Sequence, residues 1–182
     1  NSLGKIEKLR TIRYAYKLAG NFKFKNIEEI SKKAGDINFS FIKKDFVVRC
    51  KREGEHDFTR IDVEKDVGEV IFRQGHKVNL ESGNIIIADI IEDNCFIGEI
   101  IIDEMQKRKY RIRINKQGIN ACMAYAMLKI AGWDKKNSLL DANCRDGVIL
   151  TEAGLAGGKK LYGVESNKNN FISTEINAKL AN

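Results

Sequence analysis

Residues 84–103 constrain the fold more than any other stretch of the chain. Two runs rich in isoleucine, Asn84–Ile91 and Cys95–Asp103, flank the short polar turn Glu92-Asp93-Asn94. β-Branched runs of this length, broken by polar turn residues, read as two strands of a hairpin. Both runs are too apolar for a strand left in water, so the hairpin predicts a mostly buried sheet.

The preceding residues supply the cover. Asn26 is a good helix N-cap, and Glu29 three places on gives a capping-box-like start to a helix that ends near Gly35. Phe46-Val47-Val48-Arg49-Cys50-Lys51-Arg52 alternates as a half-buried strand does, with Phe46, Val48 and Cys50 on one face. Thr59 caps a further helix, in which Val63, Val67, Val70 and Ile71 share a face. Gly68 on that helix suggests close packing against a neighbour. Earlier still, Leu9, Ile12, Arg13 and Tyr16 stand near helical spacing and predict a helix over Leu9–Leu18. The order over 26–103 is helix, strand, helix, strand, strand, a small α/β unit.

A basic connector follows, Lys107-Arg108-Lys109-Tyr110-Arg111-Ile112-Arg113, whose second half alternates like a strand. The pattern then changes. Ala121–Ala131 is an apolar helix closed by Gly132, Leu139–Asp141 a short strand, Gly147–Ala156 a helix, Leu161–Glu165 a strand and Lys168–Leu180 a helix. That β-α-β-α order opens a doubly wound parallel sheet. Two strands do not complete one. This, with the absence of an initial Met, leads us to expect a piece of a longer protein.

Composition narrows the function. The 182 residues carry a net charge of +7, which favours a polyanionic partner. No apolar run is long enough to span a membrane and no signal-peptide core opens the chain, so a membrane or secreted protein is not expected. The four cysteines, Cys50, Cys95, Cys122 and Cys144, form no CxxC pattern, and His56 and His76 are the sole histidines. Reduced thiols in a cytoplasmic protein without a structural metal are the expectation. Proline is absent, against roughly nine expected at average usage.

The second half carries the chemistry. After the strand Leu139–Asp141, the loop Asp141-Ala142-Asn143-Cys144-Arg145-Asp146-Gly147 enters a helix. Such loops bring backbone N–H groups and a helix N-terminus to a bound anion or cofactor. About twenty residues later, Leu161-Tyr162-Gly163-Val164-Glu165 is a strand ending in a carboxylate, which can accept both hydroxyls of a ribose. Strand-end acids in an α/β fold without a ligand would look the same.

At this point a resemblance enters. Asp141-Ala142-Asn143-Cys144-Arg145-Asp146-Gly147-Val148-Ile149-Leu150 resembles the D-P-F-C-G-S-G-T-I-L loop of S-adenosylmethionine-dependent RNA methyltransferases, and Leu161–Glu165 resembles their ribose-holding motif. Phe46–Arg52, followed by Gly54–Thr59 and Asp62-Val63, resembles the THUMP RNA-binding domain, as does the hairpin ending Asn94–Gly98. The pairing is similar to the tRNA guanine-N2 methyltransferases. It implies an α/β fold: a THUMP-type RNA-binding domain followed by an incomplete Rossmann-like methyltransferase domain. The implied boundaries are 1–25, the end of a helical or ferredoxin-like segment; 26–106, THUMP; 107–118, a basic linker strand; and 119–182, the start of the methyltransferase domain.

The resemblance implies S-adenosylmethionine at Asp141, Asn143, Gly147 and Glu165, and a tRNA acceptor end held by the first domain. The expected RNA contacts are Arg49, Lys51, Arg52, Lys107, Arg108, Lys109, Arg111 and Arg113, through phosphates. Lys43, Lys44 and His56 add to the charge, while Glu53, Glu55 and Asp57 interrupt it. Phe58 reads either as a base-stacking ring or as a hydrophobic staple before the Thr59 cap. The chain departs from the family at Arg145, where the first loop glycine is expected. The family's (D/N)-P-P-(F/Y) catalytic motif needs prolines, so no catalytic residue is expected among these 182. A non-catalytic RNA-binding adaptor is the alternative. A thiouridine synthetase fits less well, because the Asp141–Glu165 pattern is not a Gly-rich ATP-pyrophosphatase loop.

Overall fold

The structure, a computed structural model, describes residues 2–6 and 8–181. Its elements are α1 (Ser2–Ile6), β1 (Ala15–Lys23), α2 (Ile27–Ala34), β2 (Phe46–Glu53), α3 (Arg60–Arg73), β3 (Asn84–Ile91), β4 (Asn94–Ile102), α4 (Ala121–Ile130), β5 (Leu139–Asp141), α5 (Val148–Leu155), β6 (Leu161–Gly163) and α6 (Lys168–Leu180). They form two compact units. One is continuous, Ala15–Ile102. The other is assembled from Asn1–Tyr14 and Asp103–Asn182.

The continuous unit is a four-stranded mixed sheet in the order β1-β4-β3-β2. β3 and β4 pair antiparallel through the expected hairpin, with Glu92 at φ 51° in its turn. β2 lies parallel to β3, and parallel neighbours need a crossover, which α3 supplies. Phe46, Val48 and Cys50 of β2 join Ile86, Ala88 and Ile90 of β3 and Cys95 and Ile97 of β4 on one face. Ile30 and Ala34 of α2 and Val63, Val67 and Ile71 of α3 cover that face. Both helices begin where their caps dictate. Asn26 accepts the Glu29 N–H at 3.0 Å, and Thr59 forms a reciprocal capping box with Asp62.

The structure corrects two local expectations here. The helix expected over Leu9–Leu18 does not form. From Ala15 onward the chain is β1, paired with β4 from Ala15↔Ile102 to Lys23↔Asn94 with two register shifts. An open edge on an isoleucine-rich strand supplies a row of backbone hydrogen bonds that outweighs weak helical spacing. The strand also falls in the continuous unit, not in a separate segment 1–25. Gly68 is not a close-packing glycine, because a Cβ there would meet Val48 Cγ2 at an ordinary 3.8 Å. The close approach is at Gly83, whose φ is 120° and whose Cβ would lie 2.0 Å from the Asp45 carbonyl oxygen.

In the assembled unit, β5 and β6 are parallel, with Leu139↔Leu161 and Asp141↔Gly163 in register. α4, α5 and α6 form as expected, and β6 stops at Gly163, before Glu165. The strand expected in 110–114 is absent. Asn177 of α6 takes the hydrogen bonds a neighbouring strand would have taken: its Oδ1 accepts the Arg113 N–H at 3.1 Å and its Nδ2 donates to the Arg113 carbonyl at 2.8 Å. Among the described residues no helix is long and apolar enough to cross a membrane.

Candidate functional site

The end of β5 and the residues after β6 are stitched together by backbone bonds. Val164 N–H donates to the Asp141 carbonyl at 2.9 Å and Cys144 N–H to the Val164 carbonyl at 3.0 Å. Within the loop, Asp141 Oδ1 accepts the Asn143 N–H at 3.2 Å and the Cys144 carbonyl accepts the Gly147 N–H at 2.7 Å. Gly147 has no room for a side chain. Its φ is 74°, and a Cβ would stand 2.6 Å from Thr174 Cγ2.

Gly147 is also the N-cap of α5, and it brings no side chain to that helix end. α2, α3, α4 and α6 are each capped by a side chain, from Asn26, Thr59, Asn120 and Asn167. The first amides of α5 therefore keep their donor capacity for something other than a cap.

Glu165 lies opposite. Its Oε2 accepts the Arg145 N–H at 2.9 Å and its Oε1 the Asn167 N–H at 2.8 Å. The Asn167 amide, and with it that of Arg145, hold the carboxyl below its ordinary range, so it is ionised at neutral pH. An ionised carboxylate has about four lone-pair sites, so two amide bonds leave acceptors for hydroxyl groups. Asp141, Asn143, Gly147 and Glu165 are thus gathered at the C-terminal ends of two parallel strands, where α/β sheets bind ligands. Carboxylate acceptors beside an uncapped helix N-terminus suit the ribose and amino-acid ends of a nucleoside cofactor.

Beneath this loop lie two buried ion-pair networks. Arg111 sends Nε and Nη2 onto one oxygen of the fully buried Asp146, at 3.0 and 2.7 Å, and the Asn115 N–H reaches the same oxygen at 3.0 Å. Asn177 holds the Asp146 carbonyl at 2.9 Å. In the second network Glu152, also fully buried, accepts from Arg10 at 2.7 Å, Arg108 at 3.1 Å and the Tyr110 hydroxyl at 2.8 Å. Burial and the Glu152 charge push the Tyr110 hydroxyl's pKa far up.

The basic connector is accordingly split. Arg108 and Arg111 turn inward to carboxylates, whereas Lys107, Lys109 and Arg113 are exposed, Lys107 paired with Glu104. The sequence reading missed Asp146, Glu152, Asn177 and Arg10. Glu152 left one signal: it is the one charge on VILTEAGL, a helix whose other residues, Thr151 apart, are apolar or glycine.

On β2 the alternation divides the other three cations. Arg49 and Lys51 share one face, with Lys51 in register with Asp89. Arg52 stands on the helix-bearing face, its guanidinium 5.9 Å from the Phe58 ring centroid. Phe58 is buried in the core and packs on Phe24 and His56, so its ring is a core element and is not offered to a base. His56 Nε2 lies 2.8 Å from the Glu92 carbonyl.

Comparison with known proteins finds likenesses in the second half. Residues 108–181 match the family described as "RMKL-like, methyltransferase domain". Over those residues the chain is similar to that family. That matched segment holds all four gathered residues. The chain is 34% identical over 140 residues to a tRNA (guanine(6)-N2)-methyltransferase of Archaeoglobus fulgidus, covering 71% of this chain and 36% of the relative. It is 39% identical over 77 residues to a tRNA sulfurtransferase of Thermoplasma volcanium, covering 41% of this chain and 16% of the relative. The crystal structure of TrmN from Thermus thermophilus aligns with a TM-score of 0.72 and 20% identity, over 96% of this chain and 55% of that one. The chain spans about a third of the length of the methyltransferase relative.

Proposed function

We propose that this chain is the RNA-holding and cofactor-holding part of a methyltransferase that moves a methyl group from S-adenosylmethionine to N2 of a tRNA guanine. The observation that carries this reading is Glu165. Its carboxylate ends the β6 segment, is oriented by the amides of Arg145 and Asn167, and stands beside the uncapped start of α5. When bound, the cofactor supplies a sulfonium-activated methyl group. The chain's own residues hold it: Glu165 at the ribose, Asp141 and Asn143 at the loop, and the α5 amides below Gly147. No catalytic residue is assigned among the described residues.

The continuous unit is read as a THUMP-type domain that holds the tRNA acceptor end. Support comes from the relatives: a guanine methyltransferase and a sulfurtransferase, named for different chemistry on tRNA, both share sequence with this chain. Sequence shared with relatives of two chemistries suits substrate handling. Arg49, Lys51 and Arg52, with Lys107, Lys109 and Arg113, are the proposed phosphate contacts. Arg108 and Arg111 act behind them, fixing the connector.

Isothermal titration of the whole protein with S-adenosylmethionine tests the cofactor half. Glu165→Ala removes hydrogen bonds of about 1.5–3 kcal/mol each, so binding should weaken at least tenfold. Wild type that fails to bind at millimolar cofactor returns the adaptor reading. Equal binding by wild type and variant moves the ribose acid elsewhere.

A further inference from the structure

Arg145 occupies the middle of the cofactor loop with φ 52°, the left-handed region that glycine enters freely and other residues enter at a cost. The resembling family has glycine there, so the sequence keeps an arginine where the backbone favours its absence. The residue is pinned on three sides. Its N–H donates to Glu165 Oε2 at 2.9 Å, its carbonyl accepts the Thr174 hydroxyl at 2.8 Å, and its Nη1 donates to the Gln117 carbonyl. These bonds fix where the side chain starts and the direction it leaves.

The charges around it are one-sided. Between Asp141 and Gly147 the loop carries Asp141, Asp146 and Arg145, and Asp146 is already neutralised by Arg111. Arg145 is therefore the loop's own cation, and it is bonded through its backbone to the acid placed at the ribose. A guanidinium has five N–H donors in a planar fork that matches a carboxylate, and one carbonyl does not exhaust them.

We propose that Arg145 forms an anion subsite for the α-carboxylate at the methionine end of the cofactor, a contact made by charge where a glycine loop offers backbone amides. This rests on the cofactor reading above. It makes Arg145 a specificity residue: it favours ligands that keep the amino-acid carboxylate over nucleosides that lack it.

The test is isothermal titration of the whole protein with two probes, S-adenosylhomocysteine, which has the carboxylate, and 5′-methylthioadenosine, which does not. Arg145→Gly relaxes the backbone, so loss of fold is not the expected outcome. It should weaken S-adenosylhomocysteine at least tenfold and leave 5′-methylthioadenosine unchanged, while Arg145→Lys should recover part of the loss. Equal or tighter S-adenosylhomocysteine binding by Arg145→Gly would show that the arginine crowds the pocket, and would overturn the subsite. So would wild type that binds the two probes equally well. Wild type that binds neither at millimolar concentration overturns the cofactor reading itself, and the subsite with it.

Discussion

Glu152 holds Arg10 at 2.7 Å across 142 residues of sequence. The carboxylate is fully buried and also serves Arg108 and Tyr110, so it ties the start of the chain, the connector and α5 to one point. Removing one partner from a buried charge network leaves the others uncompensated, at a cost of about 3–5 kcal/mol. Glu152→Ala should therefore lower the melting temperature of the assembled unit sharply, with Glu152→Gln intermediate. Thermal circular dichroism on the chain reads this. Melting of wild type and Glu152→Ala at the same temperature would deny the network its role.

Salt dependence separates the cations of the connector. Affinity for tRNA should fall with rising salt, with a log–log slope of about −0.7 to −0.9 per phosphate contact. Charge reversal at Lys109 and Arg113 together should flatten that slope. Charge reversal at Arg108 and Arg111 should instead destabilise the fold, because both meet buried carboxylates. Gel-shift titrations over a salt series, run beside melting curves, distinguish the two classes.

Two glycines should respond in opposite directions. Gly83→Ala forces a Cβ to within 2.0 Å of a backbone oxygen at φ 120°, and should destabilise by more than about 1 kcal/mol. Gly68→Ala has ordinary contact distance and gains helix propensity on α3, so it should stabilise by about 0.5–1 kcal/mol. Urea denaturation of the two variants checks both signs.

Cys50 and Cys95 give an alkaline limit. Burial pushes both thiols up to about 12, from ordinary values near 9. Their protons stay on in the folded chain and leave the unfolded one as pH rises past about 9. The unfolded state then binds fewer protons, so stability is full below that pH and falls between about 9 and 12. At pH 8 neither thiol should react with an alkylating reagent until urea unfolds the chain. Mass spectrometry of the alkylated peptides reads this, and fast labelling of Cys95 in the native chain would contradict its burial.

The sequence disclosed those elements whose determinants are local. Asn26 and Thr59 announced α2 and α3 because a cap acts within three residues. The hairpin was legible because its turn and both strands are contiguous. That Asp141 and Glu165 come close together was legible because each closely follows one of two adjacent strands. What stayed hidden depends on distant partners. Ala15–Lys23 is a strand because β4 offers an edge some eighty residues later, and the backbone at Arg113 is satisfied by an asparagine 64 positions on. The charge run 107–113 looked uniform because nothing local tells an arginine facing Glu152 from a lysine facing water.

The assembled unit has its own chronology. A ribosome adding about 5–20 residues per second needs roughly 7–28 seconds to pass from Arg10 to Glu152. Throughout that interval Arg10 lacks its Glu152 acceptor, while the continuous unit, whose first and last residues Ala15 and Ile102 are register partners, is completed before Glu152 is made. Synthesis thus closes a self-contained cassette first and leaves the stretch before it waiting for its partner. A chain cut short before Glu152 leaves Arg10 without that partner permanently.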